Sequence, residues 1–225
     1  MIAESEYTRY VTRYVIGAHY DTAGPLPGAD DNASGVAELL ELARLLGNAQ
    51  LPIRVELAAY TLEEPPFLRS EQMGSAIHAK ALKREGAAVR VMISLEMIGY
   101  FSDAPDSQQY PISALSLFYP TEGNFISVIG NMGAGMLIRK IKKAMAETTS
   151  IPVYSINAPR LIPGVDFSGH LSYRREVYSA VMITDTAFYR NGNYHTIGDT
   201  AERSDYRRMS QVVEGVYASV IDQTH

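Results

Sequence analysis

The sequence predicts a three-layer α/β/α sandwich whose central sheet is mixed but mostly parallel. Three observations carry that prediction. Short β-branched and apolar runs recur along the chain, segments with helical apolar spacing alternate with them, and no internal repeat or linker divides the 225 residues. Strand–helix alternation of this kind buries a sheet between two helical layers. The length suits one α/β domain, taken as residues 1–225, that can bury a real core without staples.

The elements follow in order. A first strand is expected over 14–18 (YVIGA), then a helix over 36–46 that is apolar almost all round, with Asn32 or Ser34 available as its N-cap. Next come a strand over 53–60 (IRVELAAY), a helix over 70–85 and a strand over 89–95 (VRVMISL). Residues 103–124 are rich in Pro, Ser, Gln and Tyr and read as an irregular insertion. A loop of that length is either functional or a plain insertion. A strand over 125–129 (FISVI), a helix over 134–148 and a strand over 180–184 (AVMIT) complete the alternation. The last helix is the clearest, because Met209, Val212, Val213, Val216, Tyr217, Val220 and Ile221 form one apolar stripe.

Composition narrows the chemistry. The chain has no cysteine, which excludes a disulfide framework, a thiolate metal site and a cysteine nucleophile. Any metal site must be built from oxygen and imidazole, and there are 5 histidines to supply the latter. A net charge of −5 argues against a nucleic-acid-binding surface, which carries a basic excess. No apolar run approaches the roughly 20 residues that cross a bilayer, so a soluble protein with no membrane partner is expected. The opening residues MIAESEYTRYV lack the basic and apolar regions of a signal peptide. Compartment and oligomeric state stay open.

Chemistry-bearing residues collect just past the expected strand ends. The first strand runs into His19-Tyr20-Asp21 and then the turn-rich 28–35 (GADDNASG). The second ends in Glu63-Glu64, the third in Glu96, and the last leads through Asp185 to Tyr194-His195-Thr196. Ligands of open α/β sheets bind outside the carboxyl ends of the strands. Each signal has an ordinary reading alone: a chance His-x-Asp, a solvated Asp-Asp turn, an exposed Glu pair. Glu96 resists its ordinary reading, since it interrupts the apolar run 91–98, where an unbalanced carboxylate is costly. Four strands would thus deliver these groups to one rim.

Together, His19-x-Asp21, the octapeptide 28–35, Glu63-Glu64, Leu95-Glu96-Met97 and Tyr194-His195-Thr196-x-x-Asp199-Thr200 resemble the signature of the M28 zinc peptidases. That family includes bacterial secreted leucyl-type aminopeptidases, with glutaminyl cyclases and glutamate carboxypeptidases as relatives. The resemblance runs in order from about residue 14 to the last helix. It implies a zinc-exopeptidase-like fold, two Zn2+ ions per chain and a peptide substrate. His19 and Glu96 would hold one zinc, Glu64 and His195 the other, and Asp31 would bridge them. Glu63 would be the general base on a metal-bridging water. The charge balance suits this, because three carboxylates against two zinc ions leave about one positive charge to acidify water and polarise a carbonyl. The resemblance also implies a cis peptide at Asp31–Asn32. Asp21 and Asp199, close in sequence to the two histidines, are expected to orient them. An aminopeptidase is the leading reading.

Three departures from the family pattern stand out. Glu96 occupies a ligand position that is usually aspartate, as on the carboxypeptidase and cyclase side of the superfamily. The chain reads Ser168-Gly169-His170 where many relatives carry Ser-Asp-His. The segment before the first histidine motif is short, as in an N-terminally truncated domain. His170 is either a substrate-pocket residue, the favoured reading, or a loop histidine. Tyr194 is a pocket candidate, with Tyr100, Tyr110 and Tyr119 as further cleft tyrosines. Two alternatives remain: a single-zinc glutaminyl-cyclase-like acyltransferase, and a non-catalytic peptidase-like binding domain. A carboxypeptidase would need a cationic clamp, for which Arg160, Arg174, Arg175 and Arg190 are candidates. The glycine-rich 130–135 lacks the lysine and hydroxyl of a phosphate loop. The basic face of Arg139, Lys140, Lys142 and Lys143 reads as solvated. His78 and the terminal His225 read as histidines without partners.

Overall fold

The computed structural model describes residues 12–130, 133–157 and 162–222. The first half forms β1 (Arg13–His19), α1 (Gly35–Leu46), β2 (Arg54–Tyr60), α2 (Gly74–Arg84) and β3 (Val89–Leu95). The second half forms β4 (Ile126–Gly130), α3 (Gly135–Thr148), β5 (Val153–Asn157), α4 (His170–Arg175), β6 (Ala180–Thr184) and α5 (Tyr206–Asp222).

Side-chain alternation along the strands sorts the helices into two layers. Tyr14, Ile16 and Ala18 of β1 join Val91, Ile93 and Leu95 of β3 in one apolar cluster, closed by α1, α3 and α5 through Leu42, Ile141 and Val216. Val15 and Met92 point the other way, into a smaller cluster closed by α2 and α4 through Leu82 and Tyr173. Each fully buried Leu, Ile or Val in these layers contributes about 1.5–3 kcal/mol by leaving water. The expected three-layer sandwich is the observed architecture.

Strand order is β2-β1-β3-β6-β4-β5. The four strands β2, β1, β3 and β6 are mutually parallel, whereas β4 pairs antiparallel to β6 and parallel to β5. The sheet is therefore mixed. Because the four parallel strands end at one rim, the groups that follow them arrive together.

Two elements were not expected from the sequence. β5 is a short edge strand with a half-exposed middle, so it carries little β-branched signal. α4 has six residues, of which the first five are buried, and so has no amphipathic period. The second helix also begins later than expected, at Gly74 rather than at residue 70. Residues 65–73 form turns, and Met73 has an extended backbone. Residues 103–124 contain no α-helix or strand, only a 3-10 turn at Ser113–Leu117. That segment is closed on itself by Gln108 N–H to Thr121 O (2.9 Å) and stapled to the body by Gln109 N–H to Tyr189 O (2.7 Å). No helix among the described residues is long and apolar enough to cross a membrane.

Candidate functional site

The rim of β1, β2, β3 and β6 brings His19, Asp31, Glu64, Glu96 and His195 together. His19 closes β1, and its Nε2 lies 3.1 Å from Glu96 Oε1 and 3.2 Å from Asp31 Oδ1. His195 Nε2 lies 3.0 Å from Asp31 Oδ2 and 3.2 Å from Glu64 Oε1. The two carboxylate oxygens of Asp31 thus face different imidazoles. His19, Asp31 and Glu96 form one metal-competent triad, and Asp31, Glu64 and His195 form a second.

Donor chemistry and spacing both fit zinc. Each triad offers one imidazole nitrogen and two carboxylate oxygens, a normal Zn2+ set. Donors about 2.0–2.1 Å from a common ion at tetrahedral angles lie about 3.3 Å apart, close to the 3.0–3.2 Å separations seen here. Electrostatics point the same way. Burial pushes Glu64 up to about 7, aided by the Asp31 charge. Burial likewise raises Glu96, with Asp31 adding to it. Burial also opposes ionisation of Asp31, yet bonds from His19 and His195 outweigh it and hold Asp31 down near about 2. A cation between such crowded carboxylates relieves their repulsion.

The turn between β1 and α1 is built for close approach. Asp31–Asn32 is a cis peptide, as the family resemblance implied. Asn32 brackets Glu96, its Nδ2 donating to Leu95 O (2.9 Å) and its Oδ1 accepting from Met97 N–H (2.9 Å). Gly35 has to be glycine here, since a Cβ would lie 2.7 Å from Asn32 Oδ1 and 3.0 Å from Leu95 O. Asp30 accepts from Gly99 N–H (2.9 Å) and Asn191 Nδ2 (2.8 Å). The sequence offers Asn32 as an N-cap for α1, which has no side-chain cap bond, and points to no role for Asp30 or Asn191. The octapeptide contained Asn32 and Asp30, but their partners lie more than sixty residues away.

Of the two expected orienting aspartates, Asp21 contacts its histidine and Asp199 does not. His19 Nδ1 bonds the main-chain carbonyl of Asp21 (3.0 Å), while the carboxylate oxygen Oδ1 stands 3.5 Å off. Asp21 Oδ2 instead accepts from the backbone N–H groups of Glu63 (3.0 Å) and Glu64 (3.1 Å), fixing the end of β2. Asp199 does not reach His195. Its two oxygens accept from the N–H groups of Asp30 and Asp31, both at 3.0 Å, and so hold the shared ligand's backbone. His195 is steadied by stacking on Tyr194, with ring centroids 3.8 Å apart.

Glu63 lies beside this cluster, 5% exposed. Its carboxylate accepts from Ser75 N–H (2.8 Å) and Ser75 Oγ (2.9 Å). Burial pushes it up to about 7 against those two bonds, and it feels the charges of His19 and Glu96.

An apolar pocket of about 900 Å³, counted out to its solvent mouth, opens from Glu96 and Met97. Tyr110, Tyr119, Phe125, Phe167, Phe188 and Tyr194 contribute its aromatic wall. The 103–124 segment therefore builds one side of it. Tyr100 does not line it, its backbone instead donating to Asp185 (2.9 Å). His170 does not line it either. It is fully buried at the start of α4, with Nε2 donating to Val165 O (3.0 Å). Arg174 and Arg190 are buried outside the wall, and Arg175 bonds Arg69 O (2.9 Å). His78, read as partnerless, has three partners: Glu56 Oε1 (2.7 Å), Tyr60 OH (3.1 Å) and Tyr173 OH (2.7 Å). Residues 1–11, Asn131 and Met132 of the glycine-rich turn, Arg160 and His225 lie outside the described residues.

The model of peptidase family M28 matches residues 1–220. An uncharacterised Escherichia coli protein, YfbL, is 53% identical over 90% of this chain and 64% of its own length. Leucine aminopeptidase 1 of Ajellomyces capsulatus is 26% identical over 88% of this chain and 49% of its own length. The chain thus spans about half to two thirds of the curated relatives it matches. Among solved structures, the LapA aminopeptidase of Legionella pneumophila superposes with a TM-score of 0.74 at 22% identity, covering 95% of this chain and 52% of that one. A zinc aminopeptidase from Bacillus subtilis gives 0.70 at 20% identity over 95% and 46%. At such identities the likeness is one of fold.

Proposed function

Since this chain belongs to peptidase family M28, we propose that it is a di-zinc aminopeptidase. The observation that carries the reading is Asp31, whose two oxygens are divided between two buried imidazole–carboxylate pairs. In this reading His19, Asp31 and Glu96 hold one zinc, and Asp31, Glu64 and His195 the other. Bound zinc supplies Lewis acidity for the scissile carbonyl and for water.

The chain's own residues supply the rest. Glu63 takes the proton of the attacking water and returns it to the leaving amine, a role suited to a carboxyl held near about 7 by burial. Acidic side chains beside the metals meet the ammonium of the free N-terminus. The first side chain of the peptide enters the aromatic-walled pocket, past Tyr194, which favours bulky apolar residues. A single-zinc cyclase would have no use for the first triad, yet His19 is buried in contact with Asp31 and Glu96.

The test is a zinc-replete panel of aminoacyl, N-blocked and N-terminal-glutamine peptides, run with metal counting on the same sample. Release of free N-terminal residues with about two zinc ions per chain is expected. Cleavage of blocked peptides, cyclisation alone, or no turnover on any substrate would overturn the reading. Glu63→Gln should keep its zinc and lose turnover.

A further inference from the structure

The carboxylate of Glu63 is gripped from one residue. Gly74 packs directly on the backbone of Thr61, where a Cβ would sit 3.0 Å from both its N and O. That approach places the next residue, Ser75, against Glu63. The Ser75 N–H is in the first turn of α2 and so has no partner within the helix. It donates to Glu63 Oε1 (2.8 Å), while the Ser75 hydroxyl, fully buried, donates to Oε2 (2.9 Å). The hydroxyl is itself backed by Ser172 Oγ at 2.8 Å. Gly169 closes the arrangement, because a Cβ there would stand 3.1 Å from Ser75 Cβ and 3.4 Å from Glu63 Oε2.

We propose that Ser75 is a positioning residue for Glu63, and that the bare backbone of Gly169 is what leaves room for it to act. The inference rests on Glu63 being the general base. Each carboxylate oxygen has two acceptor sites. Ser75 occupies one on each oxygen, which fixes the carboxylate plane and leaves the remaining lone pairs for a proton. A base held this way needs no reorientation before each turnover.

Steady-state hydrolysis of leucyl- and phenylalanyl-p-nitroanilide by the zinc-loaded protein tests this. Ser75→Ala should lower kcat about tenfold, the value of one hydrogen bond to a charged group, with KM changed by less than about twofold. Zinc content should not change, and Ser75→Thr should restore most of the loss. A crystal structure of Ser75→Ala should show the Glu63 carboxylate in more than one orientation. Gly169→Ala, which keeps Ser75, should also lower kcat with KM and zinc content unchanged. Wild-type kcat in both alanine variants, or an unmoved Glu63 carboxylate in Ser75→Ala, overturns the proposal. Glu63→Gln separates the two readings. If it stays active, the base assignment itself fails; if it is inert while Ser75→Ala is wild type, only the positioning role fails.

Discussion

Glu38 is the residue whose replacement should change stability most clearly. It lies in the first turn of α1, 1% exposed, and neither carboxylate oxygen has a hydrogen-bond partner among the described residues. Burial alone pushes it up to about 8 from an ordinary 4.5. The favourable field of a helix N-terminus is worth at most about 2 kcal/mol to a carboxylate, too little to reverse that. The folded chain therefore keeps a proton that the unfolded chain releases above about 4.5, so folding stability falls as pH rises through the window from 4.5 to 8. At about 1.36 kcal/mol per pH unit, the loss between pH 5 and pH 8.5 comes to roughly 4 kcal/mol. Glu38→Gln has the same shape and no ionisation. Urea unfolding of variant and wild type, both zinc-saturated, should show near-equal stability at pH 5. At pH 8.5 the variant should be ahead by roughly 4 kcal/mol, since other pH-linked groups cancel in the difference. A difference that does not grow with pH would refute the claim that Glu38 is held neutral in the fold.

Two further outcomes test the parts around the site. Asp199→Asn keeps the shape but weakens the acceptors for the Asp30 and Asp31 N–H groups. Zinc affinity, measured by competition with a chelator, should fall about 10–100-fold, and an unchanged affinity would remove Asp199 from the metal's support. Gln108 ties the 103–124 wall to Arg190 Nε (2.9 Å) and Thr186 Oγ1 (2.9 Å). Gln108→Ala should lower kcat/KM for phenylalanyl substrates by about tenfold while sparing alanyl ones, because only large side chains use the wall. Equal losses on both substrates would mean that the wall does not select.

What could be read in the sequence was whatever is encoded locally. The runs at β1, β3 and β6 are continuously apolar because both faces are covered, and α5 shows its stripe because one face meets water. His19 and Glu96 stand at the ends of such runs and Glu63-Glu64 just past β2, so strand direction alone brings them to one rim, whereas Asp31 and His195 sit on the longer loops that follow β1 and β6. The role of Asp199, and the hold of the Asp21 carboxylate on Glu63 and Glu64, did not follow. A carboxylate near a histidine in sequence can choose between the imidazole and any N–H that folding brings closer. Here Glu63, Glu64, Asp30 and Asp31 brought two N–H groups to each, which satisfies both oxygens or doubly satisfies one, better than a single imidazole can.

The overlooked α4 explains the remaining misreadings through one physical cause. A helix with an exposed face advertises itself by period, but His170, Leu171, Ser172, Tyr173 and Arg174 are all buried, so no period exists to be seen. Without that helix there is no Tyr173 hydroxyl for His78 and no Ser172 hydroxyl behind Ser75. His78 then reads as a histidine with no partner, and Ser75 as an unremarked residue at a helix start. Gly169, the residue just before α4, reads only as a lost carboxylate. With the helix in place, the same glycine packs against both Ser75 and Glu63, and a Cβ there would press on Ser75 Cβ at 3.1 Å. The departure at residue 169 is therefore a statement about packing around Glu63 before it is one about missing charge.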